Sequence, residues 1–281
     1  MSSSDHSIYR DLVAAMMRGE ETLPSLPQLT LQIRSALSQP DTSQNELERL
    51  ISRDPALAAL LLKHASGALY RRVRSAQSLR DAIDLLGLRQ VGSITLAHSL
   101  KSLCVLRSPV YKRLYLEVWR GLVIKASTSA VLARELGGTA PETALLASML
   151  TDIGKLVVLS AFMDSEAPVD VDQYKRLCRE YARPLGVLLL KRWDVEAVYV
   201  DVARQAGDWQ VDTGERLQLI DLVNLARYHV LPDHPSLPAL AELPVYRKLP
   251  APHNRLDARG RLALVSEQRE QVLSLAQNFG A

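Results

Sequence analysis

The chain has 281 residues, 47% of them hydrophobic, with only 2 Phe and a formal net charge of +3. That length and apolar share can bury a sizeable core in one large domain or two small ones, and they exclude a disordered chain. The charge is too small to argue for nucleic acid as a partner, and a composition rich in Leu and Ala favours helices.

Cys104 and Cys178 lie far apart and form no C-x-x-C pair, so they read as reduced thiols of a cytoplasmic protein. The N-terminus lacks a basic segment followed by an apolar core. No apolar run is read as approaching the roughly eighteen residues that span a bilayer, so no membrane association is expected.

In chain order, Ile8, Leu12 and Met16 predict a short amphipathic helix over 5–18. Pro24 and Pro27 set up the next, with Leu29, Ile33 and Leu37 facing a core. Ser43 with Glu46 has capping-box spacing, and Asp54-Pro55 places a capping residue before a first-turn proline. Residues 67–77 form a basic loop with Arg71, Arg72 and Arg74 beside Tyr70, a solvated loop or an anion contact. Ser78 to Asp81 caps a helix closed by Gly87, and Val91 to Leu106 follows with His98, read as a satisfied core or interface residue.

A long helix runs from Val110 to Leu136 and ends at Gly137-Gly138, and Thr139 with Glu142 is read as the cap of the next. Further helices are predicted over 172–182, 184–193, 195–206 and 214–230. Six prolines from Pro232 to Pro252 predict an extended connector, and Arg261 to Asn278 a last amphipathic helix. Strand alternation is missing, so the expected fold is all-α. No repeat with a period of roughly 20–50 residues is present, and no Walker A sequence, dinucleotide fingerprint or nucleophile elbow.

The stretch from Ala144 to Leu159 organises the rest. Leu145, Leu146, Met149, Leu150, Ile153, Leu156 and Val157 give it the load of a buried helix, interrupted by Thr151-Asp152-Ile153-Gly154-Lys155. A carboxylate in such flanks is costly to bury without a partner. Taken alone, the residues fit an Asp at a helix kink, bonded to backbone amides.

The same residues resemble the His-Asp-Ile-Gly-Lys core of the HD superfamily, whose members include metal-dependent phosphohydrolases, with Thr151 in the histidine position. Leu23-Pro24-Ser25-Leu26-Pro27, Ile51 to Leu57 and Ala82 to Leu88 extend the likeness in the right order over roughly residues 22 to 230. They resemble the HDOD branch, in which the catalytic ligands are commonly lost. The resemblance implies an N-terminal helical half (22–108) packed on a degenerate HD-like helical half (109–231). An N-terminal helical extension (1–21) and the proline-rich connector with its C-terminal helix (232–281) flank them.

Carried over by position, the first ligand histidine falls at Gly121, after Trp119-Arg120. The His-Asp pair becomes Thr151-Asp152, and the distal aspartate falls at Asn224, with Asp221 a turn away. No histidine lies between His98 and His229, so Asp152 alone survives as a candidate metal contact. Several imidazoles and carboxylates are needed to hold a hydrolytic metal. The expectation is therefore no catalytic residue, no metal and no cofactor.

Asp152 is expected to be structural, with Lys155 as a surface partner. The vacated site should be a small polar cavity carrying little charge, with water in it. The resemblance implies a non-catalytic bacterial signal-transduction module binding unidentified signalling proteins or a small ligand, with cyclic-dinucleotide or two-component networks in the background. The rival readings are a metal-dependent phosphohydrolase with an unorthodox ligand set, and a nucleotide or nucleic-acid binder using Arg71, Arg72 and Arg74.

Overall fold

A computed structural model describes residues 24–39, 41–66, 76–101, 109–163, 171–231 and 237–280. The helix expected over 5–18 and the arginines Arg71, Arg72 and Arg74 lie outside the described residues. The regular elements among the described residues are helices, and the extended pairing is an isolated antiparallel bridge between Leu256 and Leu262. The all-α expectation holds.

The chain divides into two units, one of Leu26–Leu103 with Gln277–Gly280, the other mainly Cys104–Ala276. The first contains α1 (Gln28–Ser38), α2 (Gln44–Ile51), α3 (Pro55–Ala65), α4 (Leu79–Leu86) and α5 (Leu88–Leu100). Its core is aliphatic, with Ile33, Leu47, Ile51, Leu57, Leu61, Ile83 and Leu100 fully buried. Local chemistry sets the helix starts. Ser43 accepts from the Glu46 N–H at 3.2 Å, and Ser78 and Asp81 form a reciprocal capping box. Asp54 accepts from the N–H groups of Ala56 and Leu57, each at 3.0 Å, and meets Nε2 of His98 at 3.1 Å. One carboxylate thus starts α3 and ties it to α5.

The second unit begins with α6 (Pro109–Leu136), followed by α7 (Pro141–Thr151), α8 (Ile153–Met163), α9 (Val171–Arg192), α10 (Ala197–Gln205) and α11 (Leu219–Val230). Helix α7 packs along α6, α9 along α8, and α11 against both α6 and α7. The chain turns from α6 to α7 through Gly137 and Gly138, both at positive φ, and a Cβ on Gly138 would lie 2.9 Å from the Leu217 carbonyl oxygen. The expected cap at Thr139 is not used. Ala140 stands at the N-cap without a side-chain bond, and Pro141 opens the helix.

Contrary to expectation, Pro141–Ser160 is long and apolar enough to cross a membrane, with a mean hydropathy of 1.5. In this structure 83% of that stretch is buried inside the protein. It is apolar all round because helices cover it on several sides.

Where the sequence predicts two helices separated near Pro184, α9 runs through it. Proline removes an amide donor and crowds the carbonyl four residues back. Tyr174, Leu177, Tyr181, Leu185 and Leu189 nevertheless form one buried stripe that holds both halves of the helix to the core. Gly154 explains why the two helices come so close. A Cβ there would lie 1.7 Å from the Ala182 carbonyl oxygen, so only glycine lets the α9 backbone rest on α8.

Of the expected extended connector, residues 232–236 lie outside the described residues, and the rest is folded, with 3-10 turns at Leu240–Glu242 and Pro244–Lys248. Leu240, Leu243 and Val245 bury there, giving those turns an apolar anchor. The last predicted helix is two, α12 (Ala263–Glu267) and α13 (Arg269–Asn278).

The segment after α11 is held by His229 and Arg261. Nδ1 of His229 donates to the Leu225 carbonyl at 2.7 Å, and Nε2 accepts from the Leu262 N–H at 2.9 Å, which requires the neutral ring. Arg261 donates to the carbonyls of Tyr228 and Leu231 at 2.7 and 2.9 Å. Burial, helped by Arg261, pushes the His229 pKa down to about 4, and burial does the same to His64.

Two predictions follow from these contacts. Both histidines bind a proton in the unfolded chain at the ordinary value of 6.5 and refuse it when folded. Their contribution is therefore complete above that pH and is lost as pH falls toward 4. The unfolding free energy from urea titrations should drop between pH 7 and pH 5 by about 2 kcal/mol per histidine, and His229→Gln should flatten that slope. Gly154→Ala should lower stability by about 3 kcal/mol, because the backbone clash outweighs the ~1 kcal/mol that alanine gains in a helix. Thermal melting of the variant checks this.

Candidate functional site

The α7–α8 junction is where the chain departs from regular helix. Asp152 takes φ −109° and ψ 5°, ending α7 and letting α8 start at Ile153. This places a carboxylate in the core, 6% exposed, between α6, α8 and α11. Its partners are positive charges rather than backbone amides. Lys125 of α6 donates to Oδ2 of Asp152 and, at 2.6 Å, to Oγ1 of Thr151. Lys155 lies 3.0 Å from Oδ1, and Arg227 of α11 lies 3.6 Å from the same oxygen. Thr151 donates in turn to the Ser148 carbonyl at 2.8 Å.

Lys125 is 2% exposed, so its ammonium is out of water along with its stem. Burial pushes its pKa down to about 8, and Arg227 and Lys155 add to this, while Asp152 opposes it. Burial would raise the Asp152 carboxyl. Lys125, Lys155 and Arg227 outweigh that and hold it well below the usual carboxylate range. Both shifts have one origin, since one carboxylate cannot compensate three cations.

These residues line a cavity of about 1080 Å³ that Gly121, Thr151 and Asp152 share. Gly121 stands one helical turn before Lys125 on α6, and the missing side chain leaves that face open. Asn224 does not line this cavity. Its side chain accepts from the Gly207 N–H at 2.8 Å and donates to the Asp208 carbonyl at 3.0 Å, clamping the turn after α10. Arg227, three residues further along α11, reaches Asp152 instead.

Asp221 belongs elsewhere too. It accepts from Thr213 at 2.6 Å and the Gln218 N–H at 2.8 Å, and pairs with buried Lys248 at 3.2 Å. The expectation of a small, nearly uncharged cavity is thus corrected. Seven Lys and Arg residues and three Asp and Glu residues line it among those described.

Sequence reasoning missed Lys125 and Arg227. The signal for Lys125 is a lysine one turn after Gly121, inside the small, apolar run from Leu122 to Ala130. Cys178 also lines the cavity, its thiol pushed up to about 11 by burial, so it is a poor nucleophile there.

Fold and site together define an HD-like helical domain in which basic side chains surround the surviving aspartate. The chain belongs to the HDOD family, whose family model, described as HDOD domain, matches residues 23–208. The fold is similar to crystal structures of three proteins at low identity. A proposed metal-dependent phosphohydrolase from Shewanella amazonensis SB2B aligns over 99% of this chain and 100% of its own, with TM-score 0.79 and 23% identity. An HDOD domain protein of unknown function from Geobacter sulfurreducens aligns over 97% and 96%, with TM-score 0.61 and 20% identity. A proposed signal transduction protein from Marinobacter aquaeolei VT8 aligns over 99% and 67%, with TM-score 0.55 and 18% identity. No curated protein matches the sequence.

The HD resemblance implies a metal at Asp152, and the donor set does not fit one. Among the described residues no three His, Cys, Asp or Glu side chains come together to hold an ion. Both oxygens of Asp152 are already engaged by cations, and no histidine lines the cavity.

Removing one member of a buried ion pair leaves the other uncompensated. Asp152→Ala should therefore cost about 3–5 kcal/mol of stability, more than the loss of backbone hydrogen bonds would. Chemical denaturation of wild type and variant at neutral pH checks it. The difference should shrink as pH falls below the ordinary carboxylate value of 3.8, where the unfolded-state carboxyl is protonated while the folded one still resists.

Proposed function

We propose that this protein is a non-catalytic regulatory module of bacterial signal transduction, acting in the cytoplasm by binding a protein or a small ligand. The observation that carries this reading is the occupation of Asp152 by Lys125, Lys155 and Arg227. A hydrolytic HD centre works by placing cations beside a water and a phosphoryl oxygen. Here the positive charge around the aspartate is supplied by the chain's own side chains, which generate no bound hydroxide. Family membership and the fold support the same reading, and the free thiol of Cys178 fits a reducing compartment.

Titration with manganese or zinc, by calorimetry on protein purified without chelators, tests the proposal. Affinity should be no better than about 1 mM, and an activated phosphodiester should not be hydrolysed. Micromolar binding that disappears in Asp152→Asn, together with metal-dependent hydrolysis, would make the protein an enzyme with an unorthodox ligand set.

A further inference from the structure

The cavity holds more positive charge than its aspartate requires. Lys125 and Asp152 form a buried pair of zero net charge, and Lys155 and Arg227 share what remains of the carboxylate. Arg183 has no carboxylate partner among the described residues. Its Nη2 donates to the Ala206 carbonyl at 2.7 Å, which fixes its position at the cavity wall.

Arg183 and Arg227 converge on one backbone point. A Cβ built on Gly207, at φ 85°, would lie 3.1 Å from Nε of Arg227 and 3.4 Å from Nη2 of Arg183. Two like-charged guanidinium groups at one turn repel, and Asp152, 3.6 Å from Arg227 and shared with Lys125 and Lys155, offsets only part of that. Nε of Arg227 is buried against Gly207, which sets the plane of a guanidinium that lines the cavity.

The shape fits the charge. A cavity of about 1080 Å³ suits a ligand of nucleotide size rather than a bare ion. Val118, Leu122 and Leu231 give it an apolar wall beside the cations. Guanidinium forks match tetrahedral oxyanions with two parallel bonds, and two forks with an ammonium suit a doubly charged group better than a single carboxylate.

We propose that this cavity binds a phosphate-bearing small molecule without cleaving it, with Lys155, Arg183 and Arg227 holding the phosphate and the organic part against the apolar wall. The inference rests on the non-catalytic reading above and names the ligand chemistry of that module. The phosphate can come from two sources, free orthophosphate or an esterified phosphate, and the cavity volume favours the ester.

The test is calorimetry on the full chain with chelator present, using inorganic phosphate, adenosine 5′-monophosphate, adenosine and sulfate in turn. The monophosphate should bind with a dissociation constant below about 1 mM, tighter than phosphate or sulfate, while adenosine does not bind. Binding of phosphate as tight as the monophosphate would assign the site to the free ion. Lys155→Gln and Arg183→Gln should each weaken the monophosphate about tenfold, the loss of one charge-assisted contact. Both side chains are solvent-accessible, and Lys155→Gln carries the test if the Arg183 variant does not fold.

No binding of either phosphate compound at about 10 mM, equal binding of adenosine, or affinity unchanged in Lys155→Gln overturns the proposal. Hydrolysis of the monophosphate on adding manganese would instead overturn the non-catalytic reading while leaving the binding site in place.

Discussion

Asp152 and Lys125 cannot be buried one without the other. The effective cost of taking a single carboxylate or ammonium out of water is several kcal/mol even after relaxation, and far more in an idealised apolar medium. Lys125 sits in the buried face of α6 and Asp152 at the break between α7 and α8, so their contact fixes how those helices meet. Thr151 completes the arrangement by accepting from Lys125 and donating back to α7. Buried ion pairs as a class stabilise a fold little more than apolar side chains of the same size, because desolvation offsets their attraction. A slip of either helix would separate the pair and leave a buried charge without its partner, which costs several kcal/mol.

Close backbone approach makes the charge cluster possible. Gly154, two residues after Asp152, allows the α9 backbone to rest directly on α8. That brings the turn of α9 carrying Arg183 and Pro184 to the cavity rim. Gly207 does the same at the end of α10, leaving room for Arg183 and Arg227 to converge. The glycines therefore shape the cavity and the cations give it its sign.

The chemical consequence is that the buried carboxylate faces the chain's own cations. An HD hydrolase is implied to gather ligands around a metal, whereas here Gly121 contributes nothing and Lys125, a turn later, reaches the aspartate. On α11 Asn224 is committed to a turn, and Arg227, a turn later, also reaches the aspartate. In both helices the cation stands one turn beyond the residue that the resemblance sets at a ligand position. Fixed ammonium and guanidinium groups can attract and orient an oxyanion, but they cannot supply an ionised water as a metal does.

Local features of this fold are legible in the order of the residues. Caps such as Ser78-Asp81 and Asp54-Pro55 and the helical period are written in neighbouring residues, so the all-α fold could be read directly, as could the stretch without histidine between His98 and His229. Pro184 misled because interior proline reads locally as a break, while the helix is kept whole by the stripe it buries. The proline-rich segment misled for a related reason, since its buried leucines anchor it to a surface that exists only after folding. The cavity's charge was decided by tertiary structure alone. Lys125, Asp152, Arg183 and Arg227 come from separate helices or the junction between two, and periodicity gives each helix a face without saying which faces meet. A buried lysine becomes tolerable only when a carboxylate from another helix is set against it, and that pairing is a property of the packed chain.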